Sequence, residues 1–381
     1  MSPKTTRRRK TPFLQEGRLD ISFLSFILIL LTVGLVMLFS ASYAYSYAYY
    51  GNSYKFIIRQ ALFAAIGVAI MFGISKIDYH FWRKFAWIVF FVSFGLLVFL
   101  LISPPMVSGM SVKRWFVVGP INFQPSEVAK FAIILLFSSL IAANHTLMKN
   151  FKFVCFLLGI LGVTCVLVVA EPHLSATVLI LMIGIVLMIV GGLAKRYIIG
   201  GSLFAVGSVV LLIISGKISY VLDRFEYWLD PWSDPLGKGF QTIQSLLAIG
   251  SGGVLGRGIG QSRQKYLWLP EPHNDFIFSI VCEELGLIGA VGIIVLFALL
   301  VWRGFTVAMR APDKFGSLLA LGLTFQVGLQ AMLNIWVVTN TIPNTGISLP
   351  FFSYGGTSLV ILLAEMGIVL SVSRSANLEK G

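Results

Sequence analysis

From Ile21 to Tyr43 the chain reads ISFLSFILILLTVGLVMLFSASY, with no charged residue. A helix rises about 1.5 Å per residue, so roughly 20 mostly apolar residues cross the hydrocarbon core of a bilayer. The run is too long for the apolar core of a signal peptide, and no small-residue cleavage site follows it. It therefore reads as a spanning helix. Similar runs recur at 56–75, 85–103, 125–143, 153–170, 174–194, 197–214, 276–302, 316–338 and 355–372. The expected fold is an all-α polytopic membrane protein with ten transmembrane helices.

Composition agrees with this reading. Of 381 residues, 57% are hydrophobic and only 12% charged, with a mean hydropathy of +0.88. Soluble domains carry about 25% charged residues. A soluble enzyme, a nucleic-acid-binding domain and a disordered scaffold are excluded at this step. The net charge of +13 then reads as membrane topology, with no nucleic-acid partner implied. Cys155, Cys165 and Cys282 lie in apolar runs without CxxC spacing, so three buried, inert thiols are expected.

Lysine and arginine set the orientation, because cytoplasmic loops retain them. The N-terminal tail holds Lys4, Arg7, Arg8, Arg9, Lys10 and Arg18, and alternate loops hold further clusters such as Lys76, Arg83 and Lys84. The opposite short loops hold only Lys55, Arg59, Lys113 and Arg114. Both termini are expected in the cytoplasm. The chain divides into a basic tail (1–20), a membrane region (21–372) and a short tail (373–381). Within the membrane region, 215–274 forms a long outer connection. Glu127, Glu171, Asp223, Glu226, Asp230, Asp234, Glu271 and Asp275 all fall in or beside the outer loops. Long connections are uncommon unless functional. The chemistry is expected to face outward.

Leu269-Pro-Glu-Pro-His-Asn-Asp-Phe276 leads straight into the eighth run. Asp275 there is either a carboxylate placed to accept a proton or an N-cap of the following helix. Lys113-Arg114-Trp115, then Gln124-Pro-Ser126-Glu127 and Lys130, form the second cluster. Glu127 and Lys130 are three apart and share a helix face, as a self-contained ion pair or as the lining of a polar cavity. Arg114 and Lys113 above them suit a phosphate. Glu283 and Glu284 cannot both point where Asp275 points, and one of them is expected to meet either Lys130 or a polar cleft. These two and Glu365 read as structural pairs or as a proton relay. The glycine-rich stretch 250–260 follows no strand pattern, so it is not a nucleotide loop. An interfacial or re-entrant segment fits better. Pro343 to Thr357 reads as a Pro/Gly-rich outer turn.

Taken together, these segments resemble the SEDS family (shape, elongation, division and sporulation) of membrane peptidoglycan polymerases. The resemblance covers nearly the whole chain after the basic tail. It rests on Lys113-Arg114-Trp115 with Gln124-Pro-Ser-Glu127 and Lys130, on Leu269 to Phe278 with Glu283-Glu-Leu-Gly286, and on Pro350 to Ser358. Leu229-Asp-Pro-Trp232 with Asp234, Gln241 and Ser245 is similar to the division and sporulation branch rather than the rod-shape branch. Two departures stand out. Pro172-His173-Leu174-Ser175 replaces a common Pro-Asp-Leu-Gly, which puts a substrate-contacting carboxylate in doubt, and Asn274 replaces a frequent threonine.

The resemblance implies a glycosyltransferase at the outer face of the cytoplasmic membrane, concentrated at the division septum. It would polymerise lipid II into β-1,4 glycan strands, with Asp275 as general base and undecaprenyl pyrophosphate as leaving group. Substrate contacts are implied for Arg114, Trp115, Gln124, Ser126, Glu127, Lys130, Glu271, His273, Ser353 and Tyr354. A divalent cation, Mg or Mn, is a further expectation, and no organic cofactor is. The implied partners are a class B penicillin-binding protein, which is the cross-linking transpeptidase, other division proteins, and membrane lipid. The rival readings are a lipid II flippase or proton-coupled lipid carrier, an elongation or sporulation enzyme with the same chemistry, and a silent scaffold.

Overall fold

The computed structural model describes residues 17–103, 114–118, 121–201 and 227–376. The tail cations Lys4 to Lys10, Lys113, Lys217, Asp223, Arg224, Glu226 and Lys380 lie outside the described residues, as does most of the run at 197–214.

Nine of the ten apolar runs coincide with helices. These are α1 (Ile21–Tyr50), α2 (Lys55–Ile74), α4 (Ala86–Ile102), α5 (Pro125–Ala143), α6 (Phe151–Ala170) and α7 (Leu174–Val190), then α9 (Ile277–Met309), α10 (Lys314–Val338) and α11 (Gly356–Ser375). A short α3 (His80–Lys84) precedes α4, and α8 (Phe240–Gly252) lies within the long connection. Among the described residues, seven helices are long and apolar enough to cross a membrane, while α4 and α7 are shorter. A two-residue-linked hairpin, β1 (Phe116–Val118) and β2 (Ile121–Phe123), pairs antiparallel just before α5.

Local chemistry explains the ends. Asp20 caps α1, its Oδ1 accepting from the Phe23 amide at 3.0 Å. The same carboxylate takes the Arg303 guanidinium at 2.7 Å, tying α1 to α9. Gly51, in the left-handed region at φ 67°, closes α1. Asp313 caps α10 and accepts the hydroxyl of the buried Tyr79. Pro125 and Glu127 occupy the first turn of α5, where proline has no amide to waste and an acid meets the positive helix end.

The bundle centres on α5, α10 and α11. The apolar stretch of α10 is 72% buried, whereas that of α2 is only 22% buried, so α2 leaves most of its apolar surface for lipid. α2 lies along α11, and the Met71 backbone would sit 2.7 Å from any Cβ at Gly367. Small residues let membrane helices approach this closely. Cys155 departs from expectation. It is exposed on the apolar flank of α6 rather than buried, while Cys165 is half-buried and Cys282 buried, and all three are free thiols.

The glycine-rich stretch has a definite place. α9 is broken at Gly286, with φ 67° and ψ −169°. A break in a membrane helix frees backbone groups that must find partners. Residues 253–258 supply them. Arg257 and Gly258 donate amides to the Glu283 and Glu284 carbonyls at 3.0 and 2.9 Å. In return, Leu287 and Ile288 donate to the Gly253 and Val254 carbonyls at 3.0 and 3.2 Å. A Cβ at Gly286 would stand 2.2 Å from the Gly256 amide nitrogen. Gly286→Ala is therefore expected to destabilise the protein by about 3 kcal/mol or more, combining left-handed strain with a backbone clash. Thermal unfolding of the detergent-solubilised variant measures this, and an unchanged melting temperature would contradict it.

The two glutamates before the break face this same loop rather than Lys130. Glu283 accepts from Ser262 Oγ at 2.5 Å and from the Arg263 amide at 2.9 Å. Glu284 accepts from Lys265 Nζ at 3.0 Å and Ser40 Oγ at 2.6 Å. Structural pairing is their role in the fold.

Candidate functional site

Asp275 stands in the turn immediately before α9. It does not cap that helix, because the N-cap position is Phe276 and no side-chain cap bond forms there. Main-chain contacts stitch the turn to the segment before α11. Asn334 of α10 donates Nδ2 to the Asp275 carbonyl at 2.7 Å and to the Ile347 carbonyl at 2.6 Å. Ser353 Oγ donates to the Asn274 carbonyl at 2.7 Å, and the Tyr354 amide donates to the His273 carbonyl at 2.9 Å. Gln60 of α2 holds the other side, donating to the Ser353 carbonyl and accepting the Gly355 amide. The Ser353 hydroxyl and the Tyr354 backbone thus shape the turn.

His273 fills an aromatic box, with ring centroids 4.7 Å from Tyr45 and 4.5 Å from Phe56. Burial lowers its pKa to about 4, so it stays neutral. Glu271, exposed and in the left-handed region at φ 48°, accepts from Asn274 Nδ2 at 2.8 Å. Asp275 itself is half-buried. Burial first, and then the charge of Glu271, push its carboxyl up to about 6, against the opposing pull of Arg114.

The opposite wall comes from the hairpin and α5. Arg114 donates to the Pro172 carbonyl, and Trp115 is half-buried at the foot of β1. Ser126 Oγ and Gln124 Nε2 each lie 3.3 Å from His173 Nδ1. Burial, followed by the positive charges of Arg114 and Lys130, lowers His173 to about 3. Glu171 is buried with one oxygen unpartnered among the described residues, and burial raises its carboxyl to about 8. Lys130 is 1% exposed. Its ammonium meets Glu127 at 2.9 Å and Gln330 Oε1 at 3.0 Å. The ion-pair reading of Glu127 and Lys130 is what the geometry shows, extended by an amide from α10.

The sequence reading missed Gln330, Asn334 and Gln60, and counted Glu171 only among the outer-loop acids. Gln330 and Asn334 are four apart in an otherwise apolar span, a spacing that puts both on one helix face. That signal was present. Ser175, noted only as a departure, donates its hydroxyl to the Thr345 carbonyl. Gln241 and Ser245 tie α8 to the bundle, through Asn344 and through the Val338 carbonyl at 2.7 Å. Glu365 pairs with Gln326 at 3.0 Å, deep between α10 and α11.

A bundle of lipid-facing helices with a polar site where several helix ends meet defines a multi-pass membrane protein, with the raised carboxyls of Asp275 and Glu171 at that site. The chain matches the family described as cell cycle proteins, FtsW/RodA/SpoVE, over residues 21–378. It is 41% identical to the stage V sporulation protein E of Bacillus subtilis (strain 168), over 93% of this chain and 97% of that one. A probable peptidoglycan glycosyltransferase FtsW of Geobacter sp. (strain M18) is 40% identical, over 93% of this chain and 96% of its own length. Among solved structures, a chain from work on structural coordination of polymerization and crosslinking by a peptidoglycan synthase complex superposes with a TM-score of 0.78. It is 28% identical, and the match covers 94% of this chain and 99% of that one. The rod shape determining protein RodA of Thermus thermophilus gives 0.69 at 26% identity, over 94% and 98%. The protein belongs to the FtsW/RodA/SpoVE family, the SEDS proteins.

Proposed function

We propose that this protein is a peptidoglycan glycosyltransferase that polymerises lipid II, working at the outer face of the cytoplasmic membrane in a ten-span layout. The observation that carries the reading is Asp275, a carboxyl raised to about 6, uncommitted to capping its helix and within the electrostatic influence of Arg114. A general base works best with a pKa near the operating pH. Asp275 takes the proton from the 4-hydroxyl of the acceptor N-acetylglucosamine. The oxygen attacks C1 of the donor N-acetylmuramic acid, and the bond to the lipid pyrophosphate breaks. In-line attack inverts the α-linked donor to a β-1,4 link.

Glycosidases need a second carboxyl to protonate a poor leaving group. A pyrophosphate leaves as an anion, so cationic groups replace that acid. Lys130 and Arg114 fill that role. A divalent cation, Mg or Mn, would add charge compensation at the departing pyrophosphate. Among the described residues no three His, Cys, Asp or Glu side chains converge to hold one. Gln124, Ser126, Glu127, Trp115, Glu271 and His273 complete the proposed substrate wall. Similarity to a chain from a peptidoglycan synthase complex and to FtsW and sporulation relatives supports a class B penicillin-binding partner and a septal, division-type role.

Purified protein supplied with lipid II is expected to yield glycan strands, alone or with that partner. No polymer in either case, together with lipid II transfer across liposomes, would move the function to transport.

A further inference from the structure

Two amides on successive turns of α10 reach into the site from one face. Residues 330 and 334 are four apart, about 6 Å along the helix axis. Gln330 Oε1 accepts from Lys130 Nζ at 3.0 Å, while its Nε2 donates to Ser348, to the carbonyl and to Oγ, each at 3.1 Å. Asn334, fully buried, donates Nδ2 to the carbonyls of Asp275 and Ile347 at 2.7 and 2.6 Å. One amide therefore grips the cation and the other grips the backbone of the base. Both use neighbouring residues, Ile347 and Ser348, as a common frame.

Chemistry fixes the orientation of each amide. Turning Asn334 over would set its oxygen against two carbonyl oxygens. Turning Gln330 over would set an NH₂ against an ammonium. Neither alternative is tenable in a buried site.

Resting on the reading of Asp275 as base, we propose that Gln330 and Asn334 are positioning residues that fix the separation between Asp275 and Lys130. The two groups serve opposite ends of one displacement, the base at the incoming hydroxyl and the ammonium at the departing pyrophosphate. A shift of about 1 Å in such a pair costs on the order of 100-fold in rate. Lys130 spends one N–H on Glu127 and one on Gln330, which leaves the third, among the described residues, aimed by those two anchors. Without Gln330 the ammonium has only Glu127 to set its direction. Without Asn334 the Asp275 carbonyl loses the α10 anchor.

The test is steady-state polymerisation of lipid II by the full-length protein, alongside melting temperature. Asn334→Leu and the isosteric Asn334→Asp, which puts an acceptor where a donor is needed, are each expected to lower kcat about 10- to 100-fold with KM within about twofold. Gln330→Met is expected to fall similarly, and so is Gln330→Glu, which keeps the acceptor for Lys130 but sets an oxygen against the Ser348 carbonyl. Melting temperatures within a few degrees of wild type complete the expected result. Rates within about twofold of wild type, or losses that follow melting temperature and KM, would overturn the positioning role. Asp275→Asn run in parallel separates the two failures. If it polymerises normally, the base assignment fails. If it is silent while Asn334→Leu is normal, only the positioning role fails.

Discussion

Asp275→Asn is expected to lower glycan polymerisation by roughly 100- to 10,000-fold, the usual range for loss of a general base, while the protein stays folded. Stability is expected to survive because the fold holds the backbone of Asp275, through Asn334, and takes no cap bond from its side chain. Asparagine keeps the shape and removes the ability to take a proton. The wild type should show an acidic limb near pH 6, since its carboxyl is raised to about 6 and only the ionised form can act. Activity then falls about tenfold per pH unit below that point and is nearly full at pH 7. The causes of the shift supply a second handle. Glu271 is the larger of the two charge effects and raises the value, so Glu271→Gln should move the limb to lower pH. A limb that stays put in Glu271→Gln, or polymer from Asp275→Asn at the wild-type rate, would remove Asp275 as the titrating base.

The spans were legible because lipid demands long apolar runs, and nothing else in the chain imitates Ile21–Tyr50 or Lys314–Val338. The site was legible where charges interrupt those runs. Glu127 and Lys130 at a spacing of three, and Asp275 at the head of an apolar run, are conspicuous against such a background. What stayed hidden depends on contacts distant in sequence. Glu284 finds Ser40, 244 residues away, and Asn334 finds Asp275, 59 residues away. No spacing rule exposes pairings of that kind. The cap reading of Asp275 failed for a local reason, since the helix begins one residue late and Phe276 takes the N-cap position. The role of the glycine stretch stayed hidden for a related one. Its glycines serve close backbone approach to the broken α9, a partner invisible from the loop's own sequence.

Glu284→Ala is expected to destabilise the fold by about 3–5 kcal/mol, and the further change Lys265→Met to give much of that back. Glu284 and Lys265 are 1% and 3% exposed, and their charged groups meet at 3.0 Å. Removing the carboxylate strands an ammonium left with Ser40 Oγ, also at 3.0 Å, and the Tyr266 ring, 5.8 Å from its centroid. A hydroxyl cannot offset the desolvation of a full charge. Replacing Lys265 as well removes the stranded charge and leaves apolar volume in its place. The double variant should therefore melt above the single one, an ordering that simple loss of contacts would reverse. The consequence reaches the site through the chain. Residues 257–265 are clamped by Glu283 and Glu284, and only Tyr266 to Asn274 separate that clamp from Asp275. Glu284→Ala should consequently lose polymerase activity at temperatures where the bundle still retains its helical circular dichroism. If the single variant instead melts with the wild type, the pair contributes nothing net. The loop would then be held by the backbone exchange across the Gly286 break alone.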